Sequence, residues 1–148
     1  MNDMGTSYQP GLVQLLISAG RTMTTLLDER LQPLELSAAK FFTLYILAEA
    51  QQEMAFSVLA QALGTGKSNV TPLIDRLEKD GMVRRIRSED DRRVIYIRIT
   101  AQGTERLQQA QAAFTDITDS LKGEFTLDEM NVLSGLLARF VTRYCYPD

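Results

Sequence analysis

The sequence contains no histidine and a single cysteine, Cys145. Those two shortages exclude whole classes of function. A structural zinc site needs four cysteine or histidine ligands, so no zinc finger is expected, and no disulfide can close within the chain. Nucleophilic pairs of serine or cysteine with histidine are excluded for the same reason. One free cysteine suits a reducing cytoplasm. Long apolar runs are also missing: the longest, Phe41 to Ala48, is broken by Thr43 and is far too short to span a bilayer. No membrane partner is expected. No basic residue precedes Arg21, so the N-terminus lacks the charged region that opens a signal peptide. The chain reads as a soluble intracellular protein.

What is present fits one domain or two small subdomains sharing a core: 148 residues, 45% hydrophobic and 24% charged. The net charge of −3 hides an asymmetry. Between Lys67 and Arg98 lie nine basic residues (Lys67, Arg76, Lys79, Arg84, Arg85, Arg87, Arg92, Arg93, Arg98) and six acidic ones, a local balance of +3, against −6 for the rest. Phosphate binding depends on clustered lysine and arginine rather than on overall charge, so this segment is a candidate polyanion contact. A solvated charged surface is the commoner fate of such a run, and charge alone does not decide between them.

Apolar spacings of three and four predict a first helix over 12–31, stopped by Pro33. Ser37 is placed to cap a second, largely apolar helix that should lie centrally, and Ser57 a short third one over 58–63 that ends at Gly64. A fourth follows from about Ser68 to Lys79, with Gly81 as its stop. The period then changes to two. Residues 82–87 and 94–100 read as strands around the polar tip Ser88-Glu89-Asp90-Asp91-Arg92, with Ile95, Ile97 and Ile99 on one face. Two long helices close the chain, over 101–122 and 127–144. The helices at both ends fall outside the central unit and are expected to pack on each other.

Gly64-Thr65-Gly66-Lys67-Ser68 resembles the end of a nucleotide-binding P-loop, but the pattern needs glycine where Gln61 stands, and it follows a strand rather than a helix. An NTP-binding enzyme is therefore disfavoured. A helix-turn-helix fits better: Ala60 is the small residue at the crossing, Gly64 the turn, and Leu59, Leu63, Val70 and Leu73 the apolar positions. Its second helix presents Lys67, Ser68, Asn69, Thr71 and Arg76, side chains suited to base edges and phosphates. The hairpin that follows carries Arg84, Arg85, Arg87, Arg92 and Arg93, and a slender arginine-tipped hairpin suits a minor groove. Glu89, Asp90 and Asp91 sit on a polar tip without a pocket, which argues against catalytic carboxylates.

With Leu59-Ala60-Gln61-Ala62-Leu63-Gly64, the run Ser68 to Gly81, Val83-Arg84-Arg85, and Asp91-Arg92-Arg93 leading to Ile97-Arg98-Ile99-Thr100 and Gly103, the chain resembles the MarR family of winged helix-turn-helix transcriptional regulators over nearly its whole length. The resemblance implies a mainly α fold with a small β-hairpin wing, winged helix over 37–100, and a helical dimerisation part over 8–34 and 101–148. It implies a major-groove helix carrying Lys67, Ser68, Asn69 and Thr71, and a wing tip where Asp91 and Arg93 act together, Arg93 in the minor groove. Pro72 departs from the family, in which a basic or small residue is usual there. It also requires the helix to begin near Lys67 or Ser68, since proline is tolerated only in the first turn.

The expected function is that of a homodimeric, sequence-specific repressor or regulator, binding a pseudo-palindromic double-stranded operator, with no catalytic residues, cofactor or metal. The rival is a winged-helix module acting through protein–protein contacts, which the nine basic residues oppose. By resemblance a small-molecule effector lies between the terminal helices and the winged helix. Leu16, Arg21, Phe41 and Tyr45 are candidate walls, and an anionic aromatic would suit Arg21. Some relatives sense peroxide through a cysteine in the first helix; this chain has none there, so Cys145 is expected to be structural or incidental.

Overall fold

The computed structural model describes residues 11–145, with side chains through Tyr144. Helix α1 (Leu12–Leu31) is followed by a short 3-10 turn over Gln32–Leu34 that contains Pro33, and then by α2 (Ala38–Glu49). Ser37 caps α2 as expected, its hydroxyl oxygen accepting from the Lys40 N–H at 3.2 Å. Asp28 of α1 accepts from the Ala38 N–H at 2.6 Å, so the last turns of α1 also satisfy the start of α2.

After α2 come β1 (Met54–Ala55), α3 (Phe56–Ala62), α4 (Lys67–Lys79), β2 (Val83–Arg87) and β3 (Ile95–Ile99). The chain ends in α5 (Ala101–Glu124) and α6 (Leu127–Cys145). Between α3 and α4, Gly64 takes a φ of 63°, a left-handed conformation that glycine adopts without a side-chain clash. The Thr65 N–H reaches back to the Ala60 carbonyl, closing α3.

The sheet is three-stranded and antiparallel, in the order β1-β3-β2. Val83 pairs with Ile99 and Arg87 with Ile95, while Met54 and Ala55 pair with Ile97 and Tyr96 on the other edge of β3. The hairpin was expected but β1 was not, because two residues are too few to show alternation. Its pairing also corrects the start of the third helix. Ala55, held in the sheet, is the N-cap, and Ser57 lies inside the helix instead of capping it.

The core collects around α2. Phe41, Leu44 and Leu47 are packed with Leu31, Leu59, Val70, Ile74, Leu77 and Ile97, all essentially inaccessible to solvent. Phe114 of α5 stacks on Phe41 with ring centroids 5.3 Å apart. The terminal helices meet the expectation in part. α1 packs mainly on α5 and α2, and no residue of α6 with a described side chain is buried. In α1 only Leu27 and Leu31 are buried.

The first turn of α5 lies hard against the start of β2. A Cβ added at Gly103 would fall 2.1 Å from the Met82 carbonyl oxygen and 2.9 Å from Ile99 Cγ1. Glycine to alanine within a helix normally stabilises, but here contact with backbone reverses the sign. Gly103→Ala should therefore destabilise by about 1–3 kcal/mol, or roughly 3–10 °C in Tm at fixed protein concentration. A thermal unfolding midpoint at or above that of the parent would contradict this packing.

Candidate nucleic-acid interface

Helix α4 has a buried and an open side. Val70, Ile74 and Leu77 anchor it in the core, while Lys67, Ser68, Asn69, Thr71, Pro72, Asp75, Arg76 and Lys79 are exposed. The helix begins at Lys67, within the expected bounds. Pro72 nevertheless lies in the second turn, not the first, so the Ser68 carbonyl has no N–H four residues on. Two of the expected reading groups are held by neighbours. The Asn69 Nδ2 donates to Thr65 Oγ1 at 3.0 Å, and the Thr71 hydroxyl donates to the Lys67 carbonyl at 3.0 Å. Asn69 keeps its amide oxygen and one N–H for an outside partner; Thr71 has committed its only proton.

The wing tip is folded around Ser88 and Asp91. Ser88 Oγ accepts from the Asp90 and Asp91 N–H groups at 3.3 Å, and Asp91 Oδ1 accepts from the Arg93 N–H at 2.9 Å. Such local carboxylate-to-backbone bonds fix tight turns. Asp91 Oδ1 also lies 3.7 Å from Arg93 Nε, yet the Arg93 side chain stays 94% exposed. Asp91 thus orients the turn and leaves the guanidinium outside it. Arg92 and, at the end of β2, Arg87 are also exposed.

Two other arginines of the basic segment are committed within the chain. Arg98 pairs with Glu53. Arg85 bridges β2 to α4: Nη2 reaches Asp75 Oδ1 at 2.6 Å, Nη1 pairs with Glu78 Oε2, and its backbone N–H donates to Glu78 Oε1 at 3.1 Å. Burial works against the Arg85 charge, but the hydrogen bonds and charges of Asp75 and Glu78 outweigh it and raise its pKa above the ordinary arginine value. A third tie, Lys40 to Asp80 at 2.8 Å, joins α2 to the end of α4. The arrangement fixes the outward face of α4 and the base of the wing relative to each other.

The four candidate effector walls are not brought together. Leu16 and Arg21 line a shallow cleft on α1 with Thr24, whereas Phe41 is core and Tyr45 stacks beside it. A separate groove of about 380 Å³ runs from Thr24 past Phe42 and Ile46 to Leu63 and Leu73, with no charged side chain in its lining. The Cys145 side chain lies outside the described residues. Among the described residues, no cluster of metal-ligating side chains occurs and no helix is long and apolar enough to cross a membrane.

A helix pair of which the second helix is open to solvent, followed by an arginine-tipped hairpin, defines a winged helix-turn-helix protein. Residues 36–95 match the MarR family. Among solved structures it is similar to a mutant MarR from E. coli complexed with operator DNA: 26% identity, TM-score 0.80, covering 88% of this chain and 93% of that one. The S. aureus MepR–DNA complex shares the fold at 19% identity and TM-score 0.83, covering 91% and 99%. A putative MarR-like transcription regulator from Bacillus cereus matches at 24% identity and TM-score 0.77, covering 89% and 94%.

The Arg85–Asp75–Glu78 tie was not anticipated from the sequence. The signal was there: two acids three residues apart on a helix, with alternating arginines on the next strand. Arg85→Ala should cost roughly 1–2 kcal/mol, between the values for exposed and buried pairs. In an Asp75→Ala, Glu78→Ala background the cost should shrink. Strict additivity in the double-mutant cycle would mean the tie contributes nothing.

Proposed function

We propose that this chain is a cytoplasmic, homodimeric, sequence-specific DNA-binding transcriptional regulator, a repressor released by a small ligand, and not an enzyme. The observation that carries the reading is the polar open face of α4 tied to a wing whose tip arginines face solvent. On this reading Lys67, Ser68, Asn69, Thr71 and Arg76 meet the major groove and its phosphates. Arg87, Arg92 and Arg93, the last oriented by Asp91, meet the backbone and minor groove. The winged helix spans 37–100, and the helical parts over 8–34 and 101–148 make the dimer; residues 8–10 and 146–148 lie outside the described residues.

Exposed apolar side chains support the dimer: Leu12, Val13, Leu127 and Val132, at the two ends, are all more than 60% exposed. A two-fold dimer also gives each short reading helix a second half-site about 34 Å away. For the effector, the uncharged groove between α1 and the helix pair suits an apolar ligand; an anionic aromatic would instead have to use the Arg21 cleft. Either ligand acts only through different affinity for the DNA-competent state.

Sedimentation should find a dimer at micromolar concentration, and a stable monomer would sink the proposal. Asn69→Ala should relax sequence preference at a cost of about 1–3 kcal/mol per half-site. Arg92→Ala should weaken binding to every sequence and lower the log–log salt slope by roughly 2 for the dimer. If both variants bind DNA as the parent does, in salt dependence as well as affinity, α4 and the wing are not the contact surface.

A further inference from the structure

At 100° per residue, Ser68, Pro72, Asp75 and Lys79 form the row along α4 directly opposite Val70, Ile74 and Leu77, which are fully buried. Pro72 therefore lies at the centre of the open face. Its ring is the one wholly apolar side chain there, among Lys67, Ser68, Asn69, Thr71, Asp75, Arg76 and Lys79. A proline in the second turn also removes a helix hydrogen bond, and an exposed ring supplies no core packing in return. Nothing in the chain's own fold uses this residue. Its flanks are equally specific: the Thr71 hydroxyl is turned back onto the Lys67 carbonyl, and the Asp75 carboxylate is held by Arg85. The middle of the face is thus short and apolar, flanked by the cations of Lys67, Arg76 and Lys79. In the major groove, the base feature that such a surface matches is the C5-methyl group of thymine, because every other distinguishing mark is a hydrogen-bond donor or acceptor.

We infer that Pro72 is a specificity-determining residue whose pyrrolidine ring packs against a thymine methyl in each half-site. The inference rests on the DNA-binding reading above. The full-length protein would first be used to enrich duplexes from a random-sequence library. In the best duplex each thymine would then be replaced singly by deoxyuracil, which lacks only the methyl group, and affinity read by fluorescence anisotropy. One thymine per half-site should lose about fourfold when demethylated, the equivalent of one buried methylene, and roughly fifteenfold when both half-sites are changed. Pro72→Ala should abolish that dependence at the same position while raising the thermal midpoint, since alanine restores the helix hydrogen bond. That gain separates loss of readout from loss of fold. Enrichment of a sequence without any deoxyuracil position whose effect depends on residue 72 would overturn this inference and leave the regulator reading intact. Failure to enrich any sequence would overturn both.

Discussion

Helix α2 holds the molecule together, because almost every interior surface ends on it. Its apolar circumference meets α1, α3, α4, α5 and β3, and Phe41, Leu44 and Leu47 are at most 1% exposed. Even its one buried polar side chain, Thr43, is satisfied within the helix by the Ala39 carbonyl at 2.8 Å. Val70, Ile74 and Leu77 reach this core from α4, and Ile97 reaches it from β3. The orientation of the open face of α4, and of the wing beyond it, is therefore a consequence of packing on α2. Truncating Leu44 would act on DNA binding without touching a single exposed side chain, because dense cores transmit such changes.

Charge in the basic segment divides by role. The local excess that first marked residues 67–98 contains Arg85 and Arg98, which are neutralised by acids of the same chain. Arg87, Arg92 and Arg93 instead end in solvent. A phosphate contact needs a cation whose partner in the free protein is water, since breaking an internal pair to make an external one gains little. A count of nine basic residues thus overstated the available charge, and only the pairing geometry separates struts from contacts.

Much of this architecture was legible because it rests on local physics. The periodicity of α1, α5 and α6, the Ser37 cap, the Gly64 turn and the alternation of Ile95, Ile97 and Ile99 all follow from spacings of two, three or four residues. What was missed depends on distant partners. β1 exists only because β3 offers Met54 and Ala55 an edge, and Ser57 lost its expected capping role to that pairing. The expected packing of the terminal helices was met by α1 on α5 but not by α6, because an apolar stripe shows that a helix will be covered, not by what. The stripe on α6 finds no cover within the described chain. Of the candidate contact surface, residue types and exposure were legible, whereas the bonds holding Asn69 and Thr71 were not.

Those bonds bear on how the surface would read sequence. A side chain free to rotate loses entropy when it docks, so a group already held in place docks at lower cost. Thr65 restrains the Asn69 amide and Asp91 restrains the backbone at Arg93, while the Arg93 guanidinium remains almost fully exposed. The α4 face is therefore preorganised, and the wing tip keeps a guanidinium open to solvent. That division suits two different tasks: fixed donors and acceptors discriminate between base edges, whereas a flexible charge follows a groove whose width changes with sequence. In the proposed dimer, the spacing between the two reading helices is then the variable that an effector can move, because the ties of Arg85 and Lys40 leave α4 and the base of the wing little slack to absorb it.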